Sequence, residues 1–149
     1  MIAKEGPLPS DVHDRATRSR NMAAIRGRNT KPEIVVRRGL HARGLRYRLH
    51  RKDLPGKPDL TFPSRRTVVF VNGCFWHAHE GCRFFKLPAK DREWWREKLE
   101  GNRERDERNH ARLCEAGWRV IVVWECDIRG RSAREVSDML DRLAESIRS

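Results

Sequence analysis

The chain has 149 residues, 36% of them charged, with a net charge of +12 and a pI of about 10.5. That length suits a single domain with a real core, and a charge so positive calls for a polyanionic partner, nucleic acid ahead of an anionic membrane, because Arg dominates over Lys and guanidinium forks pair well with phosphate. No run is long and apolar enough for a membrane span and no signal-peptide core opens the chain, so a cytoplasmic protein is expected, its four cysteines serving as metal ligands or buried thiols and not as disulfides.

Residues 1–11, with Gly6, Pro7 and Pro9, read as a flexible lead, and 12–149 as one domain that opens with a basic segment over 12–30. Within that segment Asp14 to Arg28 is weakly helical, with Met22 and Ile25 as its few apolar contacts. A disordered basic tail would be poor in apolar residues throughout; here Ile34, Val35, Val36 and Leu40 interrupt the basic block, as a folded, basic-faced domain requires. Thr30 can cap a helix from about Lys31 to Ala42, with Pro32 in its first turn and Glu33 at the favourable end of the dipole. Arg46 to His50 alternates as a strand with one wet face, Leu54 to Pro58 is a turn, and Asp59 to Phe62 alternates again. After a second turn at Ser64 to Arg66, Val68 to Val71 is a buried-type strand. Asp91 to Ala116 is a long charged helix closed by Gly117, Val120 to Trp124 a second buried-type strand, and Ala133 to Ile147 an amphipathic helix. The order α-β-β-β-α-β-α predicts an α/β domain with a mixed central sheet flanked by helices.

Between the two buried-type strands, Gly73 to Cys82 packs two thiols, two imidazoles and two adjacent aromatics into ten residues. Cys74, Cys82 and a histidine, joined by Cys126 from the end of the last strand, have the makings of a closed Cys3His zinc site. His79 and His77 are both candidates for the nitrogen ligand, and buried free cysteines are the plainer alternative. Cys114 is expected to pack within the long helix. Asp59, on a strand beside a turn, is a candidate Mg2+ ligand, with Glu33 as a partner through water; a turn-capping Asp and an ordinary helix N-terminal charge are the plainer alternatives. Phe75-Trp76 and Trp94-Trp95 can stack on or wedge between bases, although at least one tryptophan, Trp94 or Trp124, is expected in the core. From Trp95, the residues Lys98, Asn102, Arg105, Asp106 and Asn109 continue as a polar stripe at helical spacing, which a solvated face would also produce.

The run Val69-Phe70-Val71-Asn72-Gly73-Cys74-Phe75-Trp76-His77 resembles the core of the very short patch repair (Vsr) endonucleases. Arg18-Ser19-x-Asn21-Met22-x-x-Ile25, Leu54-Pro55-Gly56-x-Pro58-Asp59, Trp95-x-x-Lys98-x-x-x-Asn102-x-x-Arg105-Asp106 and the stretch from Gly117 to Cys126 support it in order, over residues 12 to 131. The resemblance implies a restriction-endonuclease-like fold with a structural zinc, and an enzyme that nicks duplex DNA 5′ to the thymine of a T:G mismatch with Mg2+ as cofactor. Asp59 and the Val71 carbonyl would hold Mg2+, His77 would act as general base or water-orienting group, Glu33 would contact the metal's hydration shell, and Asn72 would stand beside them. Zn2+ would use Cys74, His79, Cys82 and Cys126. Phe75, Trp76 and Trp95 would wedge into the duplex, with Met22, Arg18, Lys98, Asn102 and Arg105 completing the DNA contacts.

The chain departs from many nucleases of that fold by carrying Phe70-Val71-Asn72 where an acidic residue and a lysine are usual, which leaves the role of the lysine to His77. Some relatives carry His in place of Asn72. The resemblance further implies a monomer acting at the nucleoid, and mismatch-repair proteins as companions. A nuclease of the same fold with broader specificity, or a non-catalytic zinc-stabilised DNA-binding module, are the competing readings; the latter leaves Asp59, Glu33 and His77 as coincidences.

Overall fold

A computed structural model describes residues 29–149. Its elements are α1 (Lys31–Ala42), β1 (Arg48–Leu49), β2 (Leu60–Phe62), β3 (Thr67–Asn72), α2 (Arg92–Glu115), β4 (Arg119–Trp124) and α3 (Ala133–Arg148), with short 3-10 turns at Pro63–Arg65 and Glu125–Asp127. Among the described residues the expected α-β-β-β-α-β-α order is the observed one. The strands lie side by side as β1-β2-β3-β4, with β1/β2 and β2/β3 antiparallel and β3/β4 parallel. A parallel neighbour requires a crossover, and α2 supplies it.

Helices cover both faces of the sheet, which is why β3 and β4 are apolar without alternation. Val69 and Val123 face a core with Val36 and Leu40 of α1 and Leu143, Ala144 and Ile147 of α3. Val68 and Phe70 face the other way, onto Leu113 and Trp118. A third cluster joins Trp76 and Ala78 of the loop after β3 to Trp95 and Leu99 of α2. No helix among the described residues is long and apolar enough to cross a membrane.

Thr30 caps α1 by accepting from the Glu33 N–H, and α3 opens with a reciprocal box between Ser132 and Glu135. Three expectations need correction. The strand expected over Arg46 to His50 contracts to two residues, both exposed, because β1 is an edge strand; Tyr47 instead turns inward and donates its hydroxyl to the Arg37 carbonyl at 2.9 Å. Strand β2 does not alternate: Leu60, Thr61 and Phe62 are all buried, since β2 is an interior strand with both faces covered. Cys114 is exposed, because the buried face of α2 passes through its neighbour Leu113.

The turn before Asp59 depends on Gly56, whose φ is +76°; a Cβ there would lie 3.1 Å from Asn109 Cβ and 3.2 Å from the Phe70 ring. Gly56→Ala is expected to cost about 1–2 kcal/mol through the left-handed backbone and this tight approach, which a urea titration would register as a lower midpoint with an unchanged slope. An unchanged midpoint would refute the packing argument.

Candidate functional site

The parallel register of β3 and β4 sets the first group of residues. Asn72 pairs with Trp124, so the two strands end level, and Cys74 and Cys126 each follow two residues later. The loop then folds back on itself, with the His79 N–H donating to the Cys74 carbonyl at 2.9 Å. Cys74, His79, Cys82 and Cys126 converge until their donor atoms all lie within 4.8 Å of one another. The His79 ring stacks on Trp124 at 3.9 Å and 5°, and its Nδ1 faces Cys126 Sγ at 3.6 Å. A tetrahedral zinc with Zn–S bonds near 2.3 Å sets its sulfurs about 3.8 Å apart, so the donor set fits that ion in number, chemistry and spacing. Burial pushes the Cys74 and Cys126 thiols up, whereas the Phe84 N–H donated to Cys82 lowers that thiol. A soft cation offsets the cost of ionising the two raised thiols.

The second group assembles where β1 and β2 meet α1. Leu49 pairs with Leu60, so the next residues outward, His50 and Asp59, are brought opposite each other, and the His50 N–H donates to the Asp59 carbonyl at 3.1 Å. Asp59 Oδ2 accepts the Val71 N–H at 2.7 Å, which ties the carboxylate to β3. Glu33 lies on the buried face of α1 with Val36 and Leu40 and is 1% exposed. Its Oε2 meets His50 Nε2 at 2.6 Å and Arg37 Nη1 at 3.2 Å, and its Oε1 accepts the Asn29 N–H at 3.0 Å. Glu33, His50 and Asp59 each offer a ligand atom within 4.8 Å of the others. Burial, with Glu33 nearby, pushes the Asp59 carboxyl up to about 6, against the Val71 N–H and the two nearby imidazoles of His50 and His77, which lower it. Two carboxylates desolvated side by side suit a hard divalent cation such as Mg2+.

Across a cleft of about 690 Å3, lined among others by Asp59, Val71, Asn72, Phe75, Trp76 and His77, stands a third group. His77 Nδ1 lies 2.5 Å from Asp106 Oδ2 on α2. A carboxylate only accepts, so with Asp106 ionised Nδ1 carries the hydrogen and Nε2 of a neutral ring is left as an acceptor. Next to it Phe75, Trp76 and Trp95 form one aromatic cluster, with centroids 5.0 Å (Phe75–Trp76), 5.4 Å (Phe75–Trp95) and 5.9 Å (Trp76–Trp95) apart. Asn102 braces it by donating from Nδ2 to the Trp76 carbonyl at 3.0 Å, and Arg105 Nη1 donates to Asn102 Oδ1 at 3.4 Å.

The profile described as "DNA mismatch endonuclease Vsr" matches residues 10–83. The chain is 47% identical to the DNA mismatch endonuclease Vsr of Escherichia coli K12, over 93% of this chain and 88% of that one. The chain belongs to the Vsr DNA mismatch endonuclease family. It is also 54% identical to the type II nicking enzyme V.XorIIP of Xanthomonas oryzae pv. oryzae, over 76% of this chain and 83% of that one. To the type II nicking enzyme V.NmeAIP of Neisseria meningitidis it is 38% identical, over 93% and 97% of the respective chains.

For this Vsr-family chain the geometry separates the two imidazoles left open above: His79 lies with the three cysteines and His77 with Asp106. Asp59, Val71, Asn72 and His77 line one cleft, and Glu33 adjoins it through His50. The tryptophans exchange expected places. Trp94 is 39% exposed, with Lys98 Nζ 5.8 Å from its ring centroid, while Trp95 is 1% exposed and Trp124 is half-buried on His79. The stripe from Trp95 is only partly solvated: Asn102 is buried and Asp106 half-buried, whereas Arg105 is exposed. Arg18 and Met22, with most of the basic segment 12–30, lie outside the described residues. Two neighbours of the site carried no assigned role in the sequence reading. Asp106 already stands in the polar stripe from Trp95; what assigns it to His77 is that the stripe turns inward through Trp95, Leu99 and Asn102. His50 could have been found only from the β1/β2 register, which no local pattern reveals.

Proposed function

We propose that this protein, a DNA mismatch endonuclease, nicks one strand of duplex DNA 5′ to the thymine of a T:G mismatch, beginning very short patch repair of deaminated 5-methylcytosine. The fold assignment that goes with this is a restriction-endonuclease-like variant of the mixed α/β domain, carrying a structural zinc on Cys74, His79, Cys82 and Cys126. The observation that supports it most is a single cleft lined both by Asp59 and by the His77–Asp106 pair, as hydrolysis of a phosphodiester at neutral pH needs a cation site and a base together.

Asp59 and the Val71 carbonyl would hold Mg2+, with Glu33 reaching its hydration shell. When bound, the cation supplies stabilisation of the charge that builds on the scissile phosphate. His77 Nε2 takes the proton of the attacking water, while Asp106 holds the ring in the required tautomer and stabilises the imidazolium that results. The water oxygen bonds to phosphorus as the phosphorus–oxygen bond to the leaving strand breaks, and the leaving oxygen takes a proton from solvent water. Asn72 can only hydrogen-bond, since an amide does not titrate near neutral pH, so proton transfer rests with His77. The net charge of +12 brings the domain to DNA through phosphate contacts, with a salt-dependent affinity. Phe75 and Trp76 line the cleft, but Trp76 and Trp95 are both buried in one cluster, so wedging requires the aromatic cluster to part as it enters the stack. Unstacking costs a few kcal/mol per step and less at a wobble pair, which makes the wedge itself selective for mismatches.

A Mg2+-dependent nicking assay on a T:G duplex, with the matched duplex as control, tests the proposal; no Mg2+-dependent nick on the T:G strand would refute it. His77→Ala is expected to lower the single-turnover nicking rate by about 10²–10⁴-fold with mismatch binding kept, and a wild-type rate would remove the base assignment. Trp76→Ala should weaken T:G binding more than binding to matched DNA in paired titrations. Equal losses would reduce Trp76 to packing.

A further inference from the structure

His50 has no place in the mechanism above, yet it touches both acidic residues of the cation site. Its backbone N–H donates to the Asp59 carbonyl at 3.1 Å, and its Nε2 lies 2.6 Å from Glu33 Oε2. Because a carboxylate only accepts, Nε2 carries the hydrogen, and that nitrogen is spent on Glu33 and not left for a metal. The backbone at His50 is left-handed, with φ +49°, a conformation uncommon for side-chain-bearing residues in which His is several-fold enriched. The bend comes directly after β1, and the ring's meeting with α1 is made from there.

Glu33 shows why such a contact matters. At 1% exposure it depends on protein donors, which among the described residues are Asn29 N–H on Oε1, and Arg37 and His50 together on Oε2. Among the described residues, the side chain left on Glu33 without His50 is Arg37, one turn along the same helix, so no described group of the sheet would hold the carboxylate toward Asp59. The three donors among the described residues occupy three of about four acceptor positions on Glu33, and the fourth can take a water of a cation's shell.

We propose that His50 is a positioning residue for the divalent cation, holding Glu33 as the second acidic corner of the site centred on Asp59. The proposal rests on the reading that Asp59 binds that cation. The test uses the full chain with its zinc, and Mn2+ as a spin-visible stand-in for Mg2+, with free Mn2+ followed by electron paramagnetic resonance in the absence of DNA. In parallel, the Mg2+ concentration for half-maximal nicking is measured.

His50→Leu is expected to weaken Mn2+ binding about tenfold, the scale of one hydrogen bond to a charged group, and to raise the Mg2+ half-point similarly, with zinc content and thermal midpoint kept. His50→Gln, whose amide N–H can reach Glu33, should recover both to within about threefold. His50→Ser, polar but too short to span the gap, should behave as His50→Leu does and serves if the leucine variant fails to fold. Wild-type Mn2+ binding in the leucine and serine variants would overturn the proposal. So would a glutamine variant as impaired as leucine, since the imidazole would then be a ligand. Asp59→Asn separates the two levels: Mn2+ binding that survives it would overturn the cation assignment itself and this proposal with it, whereas loss in Asp59→Asn alone overturns only the role of His50.

Discussion

An Asp59→Asn variant is expected to lose nicking by about a thousandfold or more while unfolding at a higher temperature than the wild type. The loss follows from removing the charged corner of the proposed cation site; transition-state charge stabilisation worth several kcal/mol is about three decades of rate. The gain follows from the same burial that makes the site useful. Burial and the neighbouring Glu33 raise the folded-state Asp59 carboxyl to about 6 from an ordinary 3.8. The folded state therefore holds the proton more tightly than the unfolded chain does. Its contribution to stability is complete below 3.8 and is lost as pH rises through 6, a penalty on the order of 3 kcal/mol for the ionised group.

Asparagine keeps the shape and can accept the Val71 N–H, but never ionises. Its advantage in melting temperature should accordingly be small at pH 4 and reach several degrees at pH 7.5 in Mg2+-free buffer. Nicking by the wild type should rise with pH through about 6, and saturating Mg2+ should move that limb to lower pH by favouring the carboxylate. A variant no more stable than wild type at pH 7.5, or one that still nicks, would sink this account.

Cys126→Ser is expected to release the zinc proposed for the Cys/His cluster and to free the segment from Gly73 to Cys82. That segment has no strand or helix, and its conformation hangs on turn hydrogen bonds and the four convergent side chains. Structural zinc sites contribute about 10–16 kcal/mol in small peptides. Here the main core between the sheet, α1 and α3 stands apart from the cluster, so a loss of several kcal/mol with the sheet retained is expected, not complete unfolding. Nicking should fall with it, because His77, Phe75 and Trp76 ride on the same loop. Zinc content by mass spectrometry, with amide exchange across 73–82, gives the readout. Cys114→Ser is the control, since Cys114 is exposed and outside the cluster. Wild-type protein without zinc, or a Cys126→Ser protein with a full equivalent, would remove the assignment.

Much of the fold was legible from local pattern because its signals are local. Thr30, Pro32 and Glu33 mark the start of α1, Gly117 follows the end of α2, and the uninterrupted apolar runs of β3 and β4 announce strands covered on both faces. Patterns failed where exposure depended on neighbours. The same alternation reads as half-wet at Asp59 to Phe62, yet an interior position in the sheet buries every residue of β2. A tryptophan pair gives no hint which ring turns inward; the phase of α2 against the aromatic loop chose Trp95 and left Trp94 at the surface.

The sequence by itself determined the inventory: a basic domain, a Cys/His-rich loop after a buried strand, an Asp beside a turn, and an ordered set of motifs carrying the Vsr resemblance. Only the tertiary structure decided which side chains meet. The parallel register of β3 and β4 levels Cys74 with Cys126, and the fold of the loop sends His79 to the thiols and His77 to Asp106. The antiparallel register of β1 and β2 sets His50 beside Asp59 and against Glu33. Such meetings depend on strand register and helix phase, properties of pairs of distant segments. No single segment encodes them, and in this protein they gather scattered candidate residues into two separate clusters.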